Sequence, residues 1–512
     1  MEFDLVIRNA RVVDGTGALP VPADVGVLGE RIEAVGDLAA ASAREELDAS
    51  GQVVCPGFVD VHTHSDWAPF LPDEHAALRL ANVLQGVTTE VPGNCGTSRF
   101  PILAPSGPGE MLAFPSLREY RAALHEAGMV VNLAPLVGHG TMRTAAMGRD
   151  DRAPTPDELA TMQRLTEEAM QDGAFGMSTG LALVPGLFAQ EQEIITLAGI
   201  VGRHGRRYTT HMRDEGDHIE RSVAETIEVG RQAGVGVQVS HHKVGPERNW
   251  GKSQRTLPMI ADAQASGQDV GMDVYPYDCT SNGLAAILPR WFHDATSGTT
   301  AERLADPEVR QRLVTALENG ETRGASGGRW ELVRVASFAP ESDYEGLTIA
   351  QIAQDRAMSG PETVVDLVAA DPGTMIITRG MDLDEVRTIA TQPFAMIGSD
   401  GVPLPGKPHP RLSGSFATVL SWAEDDAALA DVVRRMTSLP CQAFAIPRRG
   451  RIERGYVADL VVFDPVTVAP GSTYADPLAP PTGVAHVAVA GSLVVRDGQA
   501  SDQRPGRVLE PA

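Results

Sequence analysis

The sequence predicts an α/β protein: a (β/α)8 TIM-like barrel, a small β-sandwich domain built from both termini, and an inserted lid or subdomain. Three observations predict it. The middle of the 512-residue chain alternates short apolar strands with helical patterns, as a parallel sheet joined by helices requires. The number of such units, over roughly 350 residues, suits a closed barrel with insertions better than an open sheet. Both ends of the chain read instead as short alternating strands.

In chain order, "FDLVIRNARVVD" alternates, "GTGALP" turns, "ADVGVLGERIEAVG" alternates again, and "QVVCPGFVDVHTH" follows. The barrel is expected over 56–411. Its units include "VVNLAPLVGHG", the helix "TPDELATMQRLTEEAMQDG" and "AFGMSTG". Next come "RRYTTHM", the helix "HIERSVAETIEVGRQAG" and "VGVQVSHHK", then "LPMIADAQASG" before "DVGMDVYPY". Late in the chain "TMIITRG", "MDLDEVRTIATQ" and "FAMIGSDG" read as a further strand, helix and strand of the same series. Residues 283–347 break this rhythm with Pro, Trp and "NGETRGASGGRW", and read as the insertion, a lid over the barrel mouth. "GRIERGYVADLVVFDP" and "VAHVAVAGSLVVRDG" return to strand texture. The small β domain is therefore expected over 1–55 and 412–512, with barrel-flanking helices to about residue 445.

Composition narrows the function. Hydrophobic residues make up 43% of the chain, and no run approaches the roughly 20 apolar residues of a membrane helix. The acidic, alternating start lacks the basic-then-apolar form of a secretory signal, and four scattered cysteines are no disulfide framework. A cytoplasmic protein is expected. The net charge of −24 argues against nucleic-acid and anionic-membrane partners, leaving a small-molecule substrate. An anionic substrate would need local cations. Oligomeric state is not readable. There are only three lysines, Lys243, Lys252 and Lys407, so any lysine-dependent chemistry has few candidates.

Reactive residues of such barrels stand at the C-terminal ends of strands. "FVDVHTH" delivers His62 and His64, which share one side at spacing two. "VTTEVPGNC" delivers Cys95, "YTTHMRDE" His211, "VQVSHHK" His241, His242 and Lys243, "MDVYPY" Tyr275 and Tyr277, and "MIGSD" Asp400. Each has a plain structural reading. A single strand-end histidine is commonly a hydrogen-bonded structural residue, an Asp before Gly a turn residue, and a Cys in an apolar setting core. Several strands each ending in a metal-ligand residue type point instead to a divalent transition metal, best zinc. His139 in "LVGHGTMR" ends another strand and is a candidate to line the site. Cys55, Cys279 and Cys441 read as buried small residues.

These residues carry a resemblance. "PGFVDVHTHSD", the strand ending in Asp400 and the terminal "GRIERGYVADLVVFD" resemble the amidohydrolase superfamily of metal-dependent hydrolases. Within it, "GVTTEVPGNCGTS", "GAFGMSTGL", "THMRDEGD", "VSHHK", "DVYPY", "GSDG" and "HPR" together are similar to the N-acyl-D-amino-acid deacylases, or D-aminoacylases, across roughly residues 5–495. The resemblance implies zinc-dependent hydrolysis of the amide bond of N-acyl-D-amino acids. It implies that Cys95, His211 and His241 hold one tightly bound zinc. His62 and His64 form a second site, weakly or partly occupied. Asp400 is the general base, and Lys243, Tyr275, Ser281 and Arg411 hold the substrate carboxylate. Taken alone, Arg411 reads as a surface ion pair worth about 0–1 kcal/mol. His242 reads as a structural or supporting residue.

Many two-metal relatives bridge their metals with a carboxylated lysine. No lysine lies between Cys95 and His211, and a thiolate is the obvious substitute. The alternatives are a cyclic amidase of the hydantoinase or dihydroorotase kind and a non-catalytic barrel scaffold. The missing lysine counts against the first and the filled ligand positions against the second. The chain departs from the resembling pattern at "RFPI" after "GNCGTS" and at "ALVPG" after "STGL". "RFPI" is expected to border the acyl pocket.

Overall fold

A computed structural model describes residues 2–103, 112–293, 299–324 and 326–512. Parts of the expected insertion, 294–298 and 325, lie outside the described residues. The protein is mixed α/β. Its central strands are parallel: β1 (Phe58–Asp60), β2 (Val87–Glu90), β3 (Asn132–Leu133, resumed at Val137–Gly138), β4 (Gly176–Gly180), β5 (Arg207–His211), β6 (Gly236–Val239), β7 (Val270–Val274) and β8 (Ala395–Ile397). They are short, and nearly every residue in them is buried, as expected of strands covered on both faces. β1, β2 and the first part of β3 pair in that order. The second part of β3 continues through β4, β5, β6 and β7 to β8. Pro135, which has no N–H to donate, lies at the break in β3. Just past β8, Gly401 bridges in parallel to Thr63, just past β1. The Asp60 carboxylate ties the same two strands by accepting from the Ser399 backbone N–H at 2.9 Å.

The intervening helices are specified locally. Helix Pro156–Gln171 starts with Pro at its first position and a reciprocal capping box between Thr155 and Glu158. Its Met162, Leu165, Ala169 and Met170 bury one stripe against the core. Helix Ile219–Ala233 ends at Gly234, whose φ of 63° gives the left-handed C-terminal turn.

One expectation is corrected. "TMIITRG" does not join the parallel strands. Met375–Arg379 pairs antiparallel with both Cys279–Gly283 and Val333–Ser337 in a separate three-stranded sheet. That sheet has its own apolar cluster, including Leu284, Leu313, Val335, Val364 and Ile376. The interruption therefore begins at Cys279 and runs to Arg379, beyond 283–347 at both ends. The local pattern of an apolar strand is the same in either sheet; only its partners differ.

Both termini enter one nine-stranded sheet. Val53–Pro56 lies between Glu2–Val12, which it pairs in parallel, and Leu460–Phe463, which it pairs antiparallel. Residues beyond the last strand return to β3: Leu133 N–H donates to Arg507 O at 2.9 Å, and Leu509 N–H to Leu133 O at 2.8 Å. No helix among the described residues is long and apolar enough to cross a membrane.

Candidate metal centre and active site

The C-terminal ends of β1, β5, β6 and β8, and the turn after β2, converge. Cys95 follows β2 in the turn "PGNCGTS" with φ 53°, and Gly96 follows at φ 76°. A side chain at Gly96 would place its Cβ 2.7 Å from the Gly180 nitrogen, so β4 and this turn touch through backbone. The Gly96 N–H donates to Ser178 Oγ at 3.0 Å, fixing the turn to β4. His241 has φ 36° and donates its backbone N–H to Asp273 Oδ1 at 2.7 Å. Asp400 has φ 49° and donates its N–H to His62 O at 2.6 Å. Three of the residues singled out in the sequence thus occupy left-handed backbone that such side chains rarely adopt.

Two ligand groups share Cys95: Cys95, His211 and His241, and His62, His64, Cys95 and Asp400. Cys95 Sγ lies 3.4 Å from His241 Nε2 and 3.4 Å from His62 Nε2, and His241 Nε2 lies 3.0 Å from His211 Nδ1. Tetrahedral zinc with its usual bond lengths separates such donor atoms by about 3.3–3.6 Å. The first set therefore fits zinc in number and residue type; its Cys95–His241 distance matches that spacing, and its His241–His211 distance is shorter. Burial raises the Cys95 thiol, but the charges of His62 and His241 and hydrogen bonds from His211 and His241 outweigh it and hold it well below its ordinary value. A thiolate is the form a metal takes.

Asp400 Oδ1 lies 3.1 Å from His64 Nε2, and Oδ2 lies 2.7 Å from Arg411 Nη1. Burial raises its pKa, but Arg411, His64, His62 and His241 reverse this and hold the carboxyl well below the usual range. Arg411, 1% exposed at the start of helix Arg411–Leu420, is no surface ion pair. Its Nη1 is close to Asp400 but poorly aligned for a hydrogen bond. Arg411 Nε and Nη1 and Tyr275 Oη are all buried without hydrogen-bond partners among the described residues. The guanidinium lies over the Tyr275 ring, 4.5 Å from its centroid. Because Arg411 Nη1 is ion-paired to Asp400, the groups left unspent are Arg411 Nε and Tyr275 Oη, exceptions among buried polar groups.

Tyr275, Ser281, Lys243 and Asp400 line a cavity of about 700 Å³ together with Cys95, His211 and His241. Arg411 stands behind Asp400 and does not line it. Lys243 Nζ bonds Glu215 Oε1 at 2.6 Å and His241 O at 3.0 Å. His242 turns away to Thr256 Oγ1 at 2.9 Å, and burial pushes its pKa down to about 4. His139 does not line the cavity. It opens helix His139–Met147 and pairs at 2.8 Å with Glu193, which Arg143 also holds, all three buried. Ser98 and Arg99 of the "RFPI" junction do line it, as do Ala182 and Leu183 of "ALVPG". Cys55, Cys279 and Cys441 are buried free thiols.

The sequence reading missed two supporting carboxylates. Asp273 of β7 lies 3.1 Å from His62 Nδ1 and also takes the His241 N–H. Glu215 Oε1 lies 2.9 Å from His241 Nδ1. Lys243 Nζ, which can only donate, lies 2.7 Å from the same Nδ1, so Glu215 and Lys243 both face that nitrogen while Nε2 faces Cys95 and His211. Burial raises Glu215, and Lys243, His241 and His211 reverse that and hold it below the carboxylate range. The available signals were an Asp inside an apolar strand and a Glu four residues after His211.

Residues 45–499 match the amidohydrolase family. The chain is 36% identical over 518 residues to the N-acyl-D-glutamate deacylase of Alcaligenes xylosoxydans xylosoxydans, covering 99% of this chain and 96% of that one. It is 37% identical over 522 residues to the D-aminoacylase of the same organism, covering 99% and 97%. Among solved structures, an N-acyl-D-glutamate deacylase from Bordetella bronchiseptica, complexed with zinc and a phosphonate mimic of the tetrahedral intermediate, superimposes with a TM-score of 0.86. It is 36% identical, over 100% of both chains.

Proposed function

This chain belongs to the amidohydrolase family, and we propose that it is a zinc-dependent hydrolase of N-acyl-D-amino acids, releasing a carboxylate and a free D-amino acid. One observation carries the reading. A Cys/His/His set suited to zinc shares a cavity with an ionised Asp400, beside Tyr275, whose buried hydroxyl lacks a hydrogen-bond partner among the described residues.

Cys95, His211 and His241 would hold one tightly bound zinc, and His62 and His64 a second site that is weakly or partly occupied. When bound, zinc polarises the amide carbonyl and lowers the pKa of the attacking water toward about 7. Asp400 takes the proton from that water and returns it to the leaving amine nitrogen. Lys243, Tyr275 and Ser281 hold the α-carboxylate; Arg411, expected to join them, stands behind Asp400 and keeps it anionic and so able to accept a proton. No lysine lies between Cys95 and His211, and Cys95, common to both ligand groups, is the residue that would serve both metal sites.

We read the eight parallel strands as a (β/α)8 barrel over 56–411. The two-terminus sheet, 1–55 and 412–512 with flanking helices to about 445, is read as a β-sandwich domain. The insertion is a lid, supported by Ser281, Arg323 and Met375 lining the cavity. The partner is a small molecule in the cytoplasm.

The test is a panel of N-acetyl-D- and L-amino acids, with zinc measured on the same sample. Hydrolysis confined to D-substrates with about one zinc per chain is expected; hydantoin cleavage without N-acetyl-D-amino-acid cleavage overturns it. Asp400→Asn should keep its zinc and lose kcat by about three orders of magnitude or more. A loss under tenfold removes Asp400 as the base.

A further inference from the structure

Relatives acting on N-acyl-D-glutamate and those named more broadly for D-amino acids match this chain equally well, so similarity leaves the side chain of the substrate open. The cavity itself discriminates. Besides histidines it is lined by five cationic side chains: Arg99, Arg213, Lys243, Arg248 and Arg323. Three of them are ion-paired, and a fourth, Arg99, lies against an aromatic ring. Arg213 pairs with Glu225 at 2.7 Å, Lys243 with Glu215 at 2.6 Å and Arg248 with Asp217 at 2.7 Å. Arg99 lies over Trp67, 4.6 Å from the ring centroid, in the field of Asp66.

Arg323 is different. Among the described residues its guanidinium makes one hydrogen bond, from Nη2 to the Ala182 carbonyl at 2.6 Å, and it pairs with no carboxylate. Burial, and then the like charge of Arg290, lower its pKa. In a protein of net charge −24, a half-buried guanidinium without a counter-ion is an exception that needs a reason. Its backbone is held firmly. The Arg323 N–H donates to Ile287 O at 2.8 Å, and Thr322 Oγ1 to the same carbonyl at 3.2 Å. Arg323 therefore hangs on the wall that also supplies Ser281 and Asn282 to the cavity. A strap between the insertion and the turn after β4 explains Nη2. It leaves Nε and Nη1 unused, and neither is an occluded atom.

We infer that Arg323 selects N-acyl-D-amino acids carrying an acidic side chain, by pairing with the side-chain carboxylate. The inference rests on the deacylase reading above. In that reading the acyl carbon is placed at the metal set, and the α-carboxylate at Tyr275 and Ser281. The side-chain end is then the remaining substituent able to bring an anion to a second cation on this wall. Bidentate guanidinium–carboxylate pairing uses two N–H groups, and Arg323, which gives one of its five to Ala182, has four left.

The experiment uses the zinc-loaded full chain and two isosteric pairs: N-acetyl-D-glutamate against N-acetyl-D-glutamine, and N-acetyl-D-aspartate against N-acetyl-D-asparagine. In at least one pair the acid is expected to exceed the amide in kcat/KM by about 100-fold, because the amide leaves the cation without its counter-charge. Arg323→Met should collapse that ratio toward one, and Arg323→Lys should keep part of it. Equal rates on acid and amide in the unaltered enzyme, a preference for the amides, or an Arg323→Met ratio unchanged from the parent overturns the inference. Failure to cleave any of the four and N-acetyl-D-methionine as well overturns the deacylase reading instead.

Discussion

Cys95, His241 and Asp400 hold φ at 53°, 36° and 49°, a strain of about 1 kcal/mol or more apiece that surrounding contacts must sustain. Glycine would relieve it. Without metal, Cys95→Gly should be more stable than Cys95→Ala by about 1 kcal/mol in denaturant, while both lose bound zinc and activity together. Normal zinc in either variant, by elemental analysis, contradicts the ligand role. The types and order of these residues were legible because His, Cys and Asp at strand ends form a recognisable set. Their supports were not. Asp273 and Glu215 act through distances to His62 and His241, at the ends of other strands, that their own local signals do not give. Depth is equally invisible from one residue: Arg411 reads as a surface arginine and is buried. His139 shows the converse, since a strand-end histidine can turn into the following helix and serve Glu193.

Among the elements, the three-stranded antiparallel sheet is where local pattern misled. "TMIITR" has the apolar content of a buried parallel strand, and its direction is set only by Cys279–Gly283 and Val333–Ser337. Helices fared better because caps such as Thr155 with Glu158 are written within four residues. The insertion also carries a titrating group. His293 ends the turn Arg290–His293, where burial, then Arg323, with Arg149 and Arg303, push its pKa down to about 4. An unfolded histidine titrates near 6.5, so between these values the unfolded chain binds the extra proton. The stability linked to His293 is complete above about pH 6.5 and is lost as pH falls toward 4. Urea melts should show the parent losing on the order of 2 kcal/mol more than His293→Gln between pH 7.5 and 4.5. Equal losses would show that His293 titrates normally.

For the whole molecule, the alternating texture at both ends was legible as two sets of strands. Their union in one sheet with Val53–Pro56 against Leu460–Phe463 follows from the register, which sequence alone does not give. The last residues matter as well. Leu509 is 4% exposed, packs with Val59, Leu136 and Phe444, and its N–H bonds Leu133 O. Leu509→Ala should cost roughly 2–4 kcal/mol, seen as a lower melting temperature. A shift of under 1 °C would show that the tail is not part of the cooperative unit. The same pairing has a consequence in time. A ribosome releases residues 53–56 long before residues 460–463, so their strand edge stays unpaired through most of translation. The metal ligands have all emerged by then, yet the sheet that begins the chain waits for the last segment made.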